Sequence, residues 1–149
     1  MNIEKKTREL SDCMHAIMAE VNLNDKKLIN IFSSFSPQEF HVLMTVGQMG
    51  NCIMSDIAAR LQLSLSSITG IVDKLESKKV VRRSRSIEDR RIVQVVFTDE
   101  GAKVYKMARD GHLAMVRSHL DALNPQEQDT FLALFQKIAE VIKAKKARG

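Results

Sequence analysis

Aromatic residues are scarce in this sequence, which contains no tryptophan, one tyrosine and six phenylalanines. Eight methionines are present instead, and their flexible thioether side chains are suited to filling irregular spaces between helices. The 149 residues are 44% hydrophobic and 28% charged, an ordinary balance for a globular protein. We therefore expect one domain, residues 1–149, with a hydrophobic core of its own.

Cysteines and long hydrophobic runs are also scarce. Cys13 and Cys52 are far apart and form no CxxC pair, which argues against a disulfide framework and a cysteine zinc site. The first ten residues are charged and lack the apolar core of a signal peptide. No apolar run approaches the ~20 residues that cross a bilayer. These absences predict a cytoplasmic protein with reduced thiols and no membrane partner.

The sequence lacks the common catalytic signatures. It has no GxGxxG motif, no P-loop and no paired Cys/His cluster, and the stretch LSLSS lacks the glycines of a nucleophile elbow. We therefore predict no catalytic residue, no cofactor, no metal and no enzymatic activity.

Both prolines predict helix starts. Ser36-Pro37 is followed by Glu39, and Asn124-Pro125 is followed by Glu127, so each stretch has the residues of a capping box. The first of these helices should end at Gly50. An earlier helix over residues 4–32 is predicted by apolar residues at helical spacing, with Asn22 and Asn24 as weak points near its middle. Those apolar residues are Leu10, Met14, Ile17, Val21, Leu28 and Phe32.

The middle of the chain has the pattern of a winged helix-turn-helix. A short strand over residues 51–54 precedes two helices over 55–62 and 64–79, the first capped by Ser55, with a tight turn between them. Residues 80–98 form an alternating hairpin, the wing, after which Thr98 caps a long helix. The predicted fold is mainly α with a small β wing, and the lobe over 36–106 is flanked by N- and C-terminal helices.

Positive charge is concentrated in this lobe. Residues 74–91 contain eight Lys or Arg and three Asp or Glu, a net charge of +5 that equals the net charge of the entire chain. A second basic cluster occupies residues 143–148. A local basic patch favours a nucleic acid as the partner, although a charge run can also be a solvated face.

The second helix of the pair has small and hydrogen-bonding residues at its start, as a recognition helix requires. Hydroxyl groups can reach phosphates or base edges, and Gly70, which costs about 1 kcal/mol inside a helix, would allow close approach to DNA. Alternatively, these residues serve only to start the helix. The candidate DNA contacts on this helix are Ser64, Ser66, Ser67, Thr69, Gly70 and Lys74.

The wing contributes a second set of candidates. Arg90 or Arg91 at its tip is suited to the narrow, strongly negative minor groove of A·T-rich DNA. Asp89 can hold the neighbouring guanidinium in one orientation. The alternative is a generic exposed hairpin. The candidate DNA contacts on the wing are Arg82, Arg83, Arg85, Asp89, Arg90 and Arg91.

The run SLSSITGIVDKLESKKVVRRSRSIEDRRIVQVVFTDEGAKVY resembles the core signature of the MarR family of bacterial transcription regulators. The resemblance covers about residues 36–106 and implies a homodimer formed by residues 1–32 and 112–149. It also implies a ligand-responsive repressor of a pseudo-palindromic operator in double-stranded DNA, often released by a small aromatic effector. The sequence departs from the family at Lys79, where a glycine usually ends the recognition helix.

Zinc-sensing relatives in this family place their ligands on the second and fifth helices, which implies Glu39, His41 and His112 as a candidate zinc site. This alternative is the weaker one, because His112 and His119 are not spaced as a tight helical pair.

Two further alternatives remain open, one within this resemblance and one outside it. Some members of the family sense oxidants through a cysteine in the first helix, and Cys13 lies in a comparable region. Those sensors use tyrosines beside the thiolate, and Tyr105 is the only tyrosine of this sequence, so we favour a plain buried cysteine. The alternative from another class is a winged-helix module for protein–protein assembly that does not bind DNA.

Overall fold

The computed structural model describes residues 2–23 and 26–148, with side chains described over 2–19 and 26–148. Seven helices and three strands occur in these ranges, which confirms the expected mainly helical class with a small sheet. In chain order they are α1 (Ile3–Leu23), α2 (Lys26–Ser34), α3 (Pro37–Met49), β1 (Cys52–Ile53), α4 (Met54–Leu61), α5 (Leu65–Ser77), β2 (Val81–Arg85), β3 (Val93–Phe97), α6 (Asp99–Asp121) and α7 (Pro125–Arg148).

The chain divides into two compact units, residues 1–111 and 112–149, and α6 contributes to both. The core of the first unit joins α3, α4, α5 and the sheet. Its largest fully buried side chains are Leu43, Ile57, Ile68, Leu75, Val42, Val46, Val72, Val81 and Val95. No helix within the described ranges is long and apolar enough to cross a membrane.

The predicted proline-marked helix starts are both confirmed. The Ser36 hydroxyl accepts a hydrogen bond from the Glu39 backbone N–H, and the Glu39 carboxylate accepts one from the Ser36 N–H. Asn124 and Glu127 exchange the same two hydrogen bonds at the start of α7. These pairs satisfy backbone donors that the first turn of a helix leaves free.

Two predicted helix boundaries were wrong. In place of the single helix expected over residues 4–32, the structure describes α1, which ends at Leu23, and α2, which begins at Lys26; the expected weak point Asn24 lies outside the described residues. Ser55 does not cap α4, since the residue preceding the helix is Ile53 and its side chain makes no capping bond. The β1 strand runs directly into α4, so no polar residue occupies the capping position.

The wing is part of a three-stranded antiparallel sheet with the strand order β1-β3-β2. Cys52 pairs with Val95 between β1 and β3, while Arg83 pairs with Val95 across the wing. The strand β1 therefore ties the wing to the start of the helix-turn-helix. The hairpin predicted over residues 80–98 is confirmed, with its strands over 81–85 and 93–97.

The recognition helix α5 ends at a lysine in the left-handed region. Lys79 has a φ of 61°, its N–H donates to the Glu76 carbonyl, and the Val80 N–H donates to the Leu75 carbonyl. This pair of bonds is the Schellman arrangement, for which glycine is the usual residue. The departure from the family pattern at Lys79 therefore leaves the helix end intact, at a conformational cost of about 1–2 kcal/mol for a residue with a Cβ.

Replacing Lys79 with glycine should consequently stabilise the protein. We expect Lys79→Gly to raise the free energy of unfolding by about 1 kcal/mol, because glycine adopts a positive φ without steric penalty. Urea unfolding measures this change. Lys79→Ala is the control: it removes the same charged side chain and keeps the Cβ, so it should give no such gain, and an equal gain would contradict the explanation.

Candidate nucleic-acid interface

The recognition helix begins with a cluster of three serines. Ser64 is the N-cap, and its Oγ accepts a hydrogen bond from the Ser67 N–H at 3.1 Å while donating to the Ser67 Oγ at 2.7 Å. The Ser66 Oγ lies 3.3 Å from the Ser64 Oγ, and all three residues are exposed. The cluster lies at the positive end of the helix dipole, a position that favours anions.

The next predicted contacts on α5 differ in what they present to solvent. The Thr69 hydroxyl donates to the Leu65 carbonyl at 2.9 Å and lies 3.5 Å from the Met54 sulfur, so its hydrogen is used inside the lobe. Gly70 is exposed, with no atom within 4 Å of the position where a Cβ would lie. Lys74 is also exposed.

Arg83 is bound to the recognition helix rather than projecting into solvent. Its guanidinium contacts the Asp73 carboxylate at 2.6 Å and the Glu76 carboxylate at 3.1 Å, and its backbone N–H donates to Glu76 at 3.2 Å. The hydrogen bond to Asp73 raises the pKa of Arg83. Sequence reasoning did not identify this ion pair network, although the two acidic residues three apart on one helix face were a usable signal.

The wing tip is closed by side-chain and backbone hydrogen bonds. The Arg85 guanidinium donates to the Arg90 carbonyl across the hairpin at 3.0 Å. The Asp89 carboxylate accepts from the Arg91 N–H at 3.0 Å and lies 3.7 Å from the Arg91 Nε. The expected Asp89–Arg91 pair is thus present, and it leaves the Arg91 side chain 95% exposed. Arg82 and Arg90 are also exposed.

A shallow depression of about 410 Å³ separates the start of α5 from the base of the wing. Thr69 borders it on the helix side and Arg91 on the wing side. The other lining residues are Ile53, Met54, Ser55, Leu65, Ile92 and Val93. The lobe therefore presents a hydroxyl-rich helix and a cationic hairpin on either side of a concave, partly apolar surface.

The C-terminal end of the recognition helix is anchored to the start of α3. The Lys78 ammonium donates to the Glu39 carboxylate and, at 2.7 Å, to the Ser34 carbonyl, and it lies 5.0 Å from the centre of the Phe35 ring. The Glu39 side chain is 7% exposed. The Lys78 hydrogen bond lowers the pKa of Glu39, with a further contribution from the Ser36 N–H, while burial acts in the opposite direction.

This anchor predicts a loss of stability in acid. Because the folded protein holds the Glu39 pKa below its unfolded value, the stabilisation is complete above the ordinary glutamate range, about 4.3, and is lost as the pH falls through the folded pKa. We expect Glu39→Gln to lower the free energy of unfolding by about 2 kcal/mol at neutral pH and to reduce its decline in acid. Urea unfolding from neutral to acidic pH measures both effects.

Glu127 provides a matched control for this prediction. Glu127→Gln removes the equivalent capping-box carboxylate from α7, and we expect a loss of only about 0.5–1 kcal/mol. A loss at Glu39 no larger than that at Glu127 would show that the Lys78 anchor contributes nothing beyond the helix cap.

The two cysteines lie in different environments. Cys52 is buried in β1, and burial raises the pKa of its thiol. The expectation of a buried Cys13 was wrong, since this residue is exposed on α1, whose neighbouring apolar residues Met14 and Ile17 are exposed as well. Among the residues that the structure describes, no group of three His, Cys, Asp or Glu side chains could hold a metal ion.

Comparison with known proteins identifies the family of this lobe. The model of the MarR family matches residues 35–93. The HTH-type transcriptional regulator YpoP of Bacillus subtilis (strain 168) is 31% identical over 103 residues, 69% of this chain and 73% of YpoP. The HTH-type transcriptional regulator YfiV of the same organism is 40% identical over 94 residues, 62% of this chain, and the match spans 58% of the length of YfiV.

A solved structure has the same fold over nearly the whole chain. The crystal structure of Streptococcus pneumoniae FabT in complex with DNA matches with a TM-score of 0.77 and 22% identity, covering 96% of this chain and 99% of FabT. The match extends the likeness from the lobe to the flanking helices. The chain belongs to the MarR family of winged helix-turn-helix transcription regulators.

Proposed function

We propose that this protein is a homodimeric repressor that binds a pseudo-palindromic operator in double-stranded DNA. The N-terminus of α5 enters the major groove and the wing tip enters the adjacent minor groove. The observation that carries the proposal is a concave surface bordered by Leu65 and Thr69 of α5 and by Arg91 of the wing. Ser64, Ser66 and Ser67 at the start of α5 and Arg90 at the wing tip are exposed as well. The DNA bound by FabT supports the same partner for this chain.

The predicted DNA contacts divide into two groups by their chemistry. Ser64, Ser66, Ser67 and Lys74 are exposed and can contact phosphates or base edges, and the open space beside Gly70 allows close approach. The Thr69 hydroxyl already donates its hydrogen to the Leu65 carbonyl.

On the wing, Arg82, Arg90 and Arg91 supply exposed cations. We assign Arg83 a positioning role, because its guanidinium holds the wing against α5 through Asp73 and Glu76.

Exposed apolar side chains on α1 and on α7 support the homodimer. α1 exposes Ile3, Leu10, Met14, Ile17 and Met18. Within Pro125–Arg148, all of which the structure describes, no residue is buried by the single chain. The exposed apolar residues of α7 are Phe131, Leu132, Leu134, Phe135, Ile138, Val141 and Ile142. Apolar surfaces of this kind mark interfaces, and in the proposed dimer a second copy covers each of them.

We also propose, by analogy with the MarR family, that a small aromatic effector binds the protein and lowers its affinity for the operator. A chromosomal operator as the partner places the protein in the cytoplasm and gives it a binding function rather than an enzymatic one. Two lobes related by two-fold symmetry would read half-sites ~10 bp apart, centre to centre.

The experiment that tests this function is DNA selection followed by a salt titration. Duplexes recovered from a random library by the purified protein should share a two-fold symmetric, A·T-rich motif. Affinity for the selected duplex should fall by about a thousandfold or more between about 50 and 200 mM salt, because several phosphates are neutralised. Fluorescence anisotropy measures this slope. A flat salt dependence, or no preference for duplex over heparin, would favour the protein–protein assembly module instead.

A further inference from the structure

An isoleucine occupies the tip of the wing without any cover. Ile87 is 101% exposed, the highest exposure among the large hydrophobic residues of the described chain, and the next is Ile3 at 75%. A single exposed hydrophobic side chain is common on protein surfaces and indicates nothing by itself. The hydrogen bonds of its loop and the charges around it indicate what Ile87 contacts.

The loop that carries Ile87 is held in shape before any partner binds. The Ser86 N–H donates to the Ile92 carbonyl at 2.9 Å, and the Ile92 N–H donates to the Asp89 carbonyl at 3.0 Å. Arg85 adds the bond across the hairpin to the Arg90 carbonyl. A side chain projecting from such a loop loses little conformational entropy on binding, so its apolar surface contributes to affinity nearly in full.

The charges around Ile87 indicate an anionic partner. Arg85, Arg90 and Arg91 accompany it in the hairpin, against Glu88 beside it and Asp89, which is paired with Arg91, so residues 85–91 keep an excess of one positive charge. A protein partner or a bilayer would need an extended apolar patch, and the tip offers one isoleucine, with the less exposed Ile92 and Val93 at its base. The minor groove of DNA needs only one such side chain, because proteins that bind it insert single apolar wedges between base steps.

We propose that Ile87 enters the minor groove beside Arg90 and Arg91 as an apolar wedge that partly unstacks one base step. The wedge favours operators with a flexible pyrimidine–purine step, such as TA, beneath the wing, since these steps unstack most easily. Ile87 is then a specificity-determining residue that reads deformability, while the neighbouring arginines supply charge. This inference rests on the DNA binding proposed above.

The test compares Ile87→Ser with Ile87→Leu in the full chain, using a duplex selected by the wild-type protein. Ile87→Ser should weaken binding about tenfold and leave the salt slope unchanged, because it removes apolar surface and no charge. Ile87→Leu should retain most of the affinity. Replacing the TA step under the wing with AA should weaken the wild-type protein and have little effect on Ile87→Ser.

Base unstacking is measured separately by the fluorescence of 2-aminopurine placed at the base step that lies under the wing. Its fluorescence should rise when the wild-type protein binds and stay low with Ile87→Ser. Equal affinity and equal fluorescence for wild type and Ile87→Ser would overturn the wedge while leaving DNA binding in place. A wild-type protein that selects no duplex would overturn the proposed function and the wedge together. Because Ile87 makes no core contact, circular dichroism should show both variants folded like the wild type.

Discussion

Gly101→Ala should lower the free energy of unfolding by about 3 kcal/mol, the largest effect expected of a single methyl group in this chain. A Cβ on Gly101 would overlap the carbonyl oxygen of Val80 and crowd the Phe97 ring. That carbonyl also accepts the Thr98 N–H at 3.2 Å, and the Thr98 hydroxyl donates to the Lys79 carbonyl at 2.6 Å. The end of the recognition helix and the start of α6 meet here backbone to backbone, so neither can move aside cheaply.

Gly70→Ala is the matched control for this prediction, since both glycines lie in helices of the same lobe. Nothing lies within 4 Å of a Cβ at Gly70, so the alanine should raise the free energy of unfolding by about 0.5–1 kcal/mol. Chemical denaturation of both variants tests the pair. Equal destabilisation of the two would contradict the close approach at Val80. Weaker DNA binding by the more stable Gly70→Ala protein would in turn support a close approach of DNA to α5.

Arg91→Ala should weaken operator binding by about 10- to 100-fold and reduce the salt slope by about one. The Arg91 side chain is 95% exposed and its ion pair with Asp89 is long, at 3.7 Å, so its removal should hardly affect folding. Asp89 accepts the Arg91 backbone N–H and lies 3.7 Å from the Arg91 Nε, which keeps the guanidinium near the wing tip before DNA binds. Anisotropy titrations at several salt concentrations measure both quantities.

Three variants separate the roles of charge and geometry on the wing. Arg91→Lys keeps the charge and should recover the salt slope but only part of the affinity, because lysine lacks the planar donor fork. Lys137→Ala, a loss of one positive charge from the exposed surface of α7, should leave binding nearly unchanged. If Arg91→Ala and Lys137→Ala weakened binding equally, general electrostatic attraction would suffice and the wing would have no particular contact.

Sequence patterns were reliable at most sites where the decisive interaction is local, the Ser55 cap being the exception. The capping boxes at Ser36 and Asn124, the Thr98 cap and the Asp89–Arg91 pair each join residues two or three apart. A short side chain reaches only the backbone and side chains of its own turn, so the spacing in the sequence identifies its partner. The MarR signature belongs to the same class, because it is a continuous run through the recognition helix and wing.

The residues that were misjudged depend on partners distant in the chain. Arg83 looks from its spacing like one more wing cation, yet Asp73 and Glu76 hold it on the recognition helix. The α6 helix runs unbroken through Gly111, and Leu28, from a distant part of the sequence, packs where a Cβ would lie. Lys78 reaches Glu39, a residue 39 positions away, and Cys13 is exposed because α1 does not bury that face against the chain.

The order of residues alone therefore determined the helices, the wing, the family and the concentration of positive charge, since each follows from periodicity, caps or a contiguous motif. Tertiary structure decided which cations remain available to a partner. Whether an arginine projects into solvent or is neutralised depends on which carboxylates the folded chain brings within hydrogen-bonding distance. Arg91 and Arg83 are both wing arginines, yet folding leaves one almost fully exposed and binds the other to two acidic residues of α5.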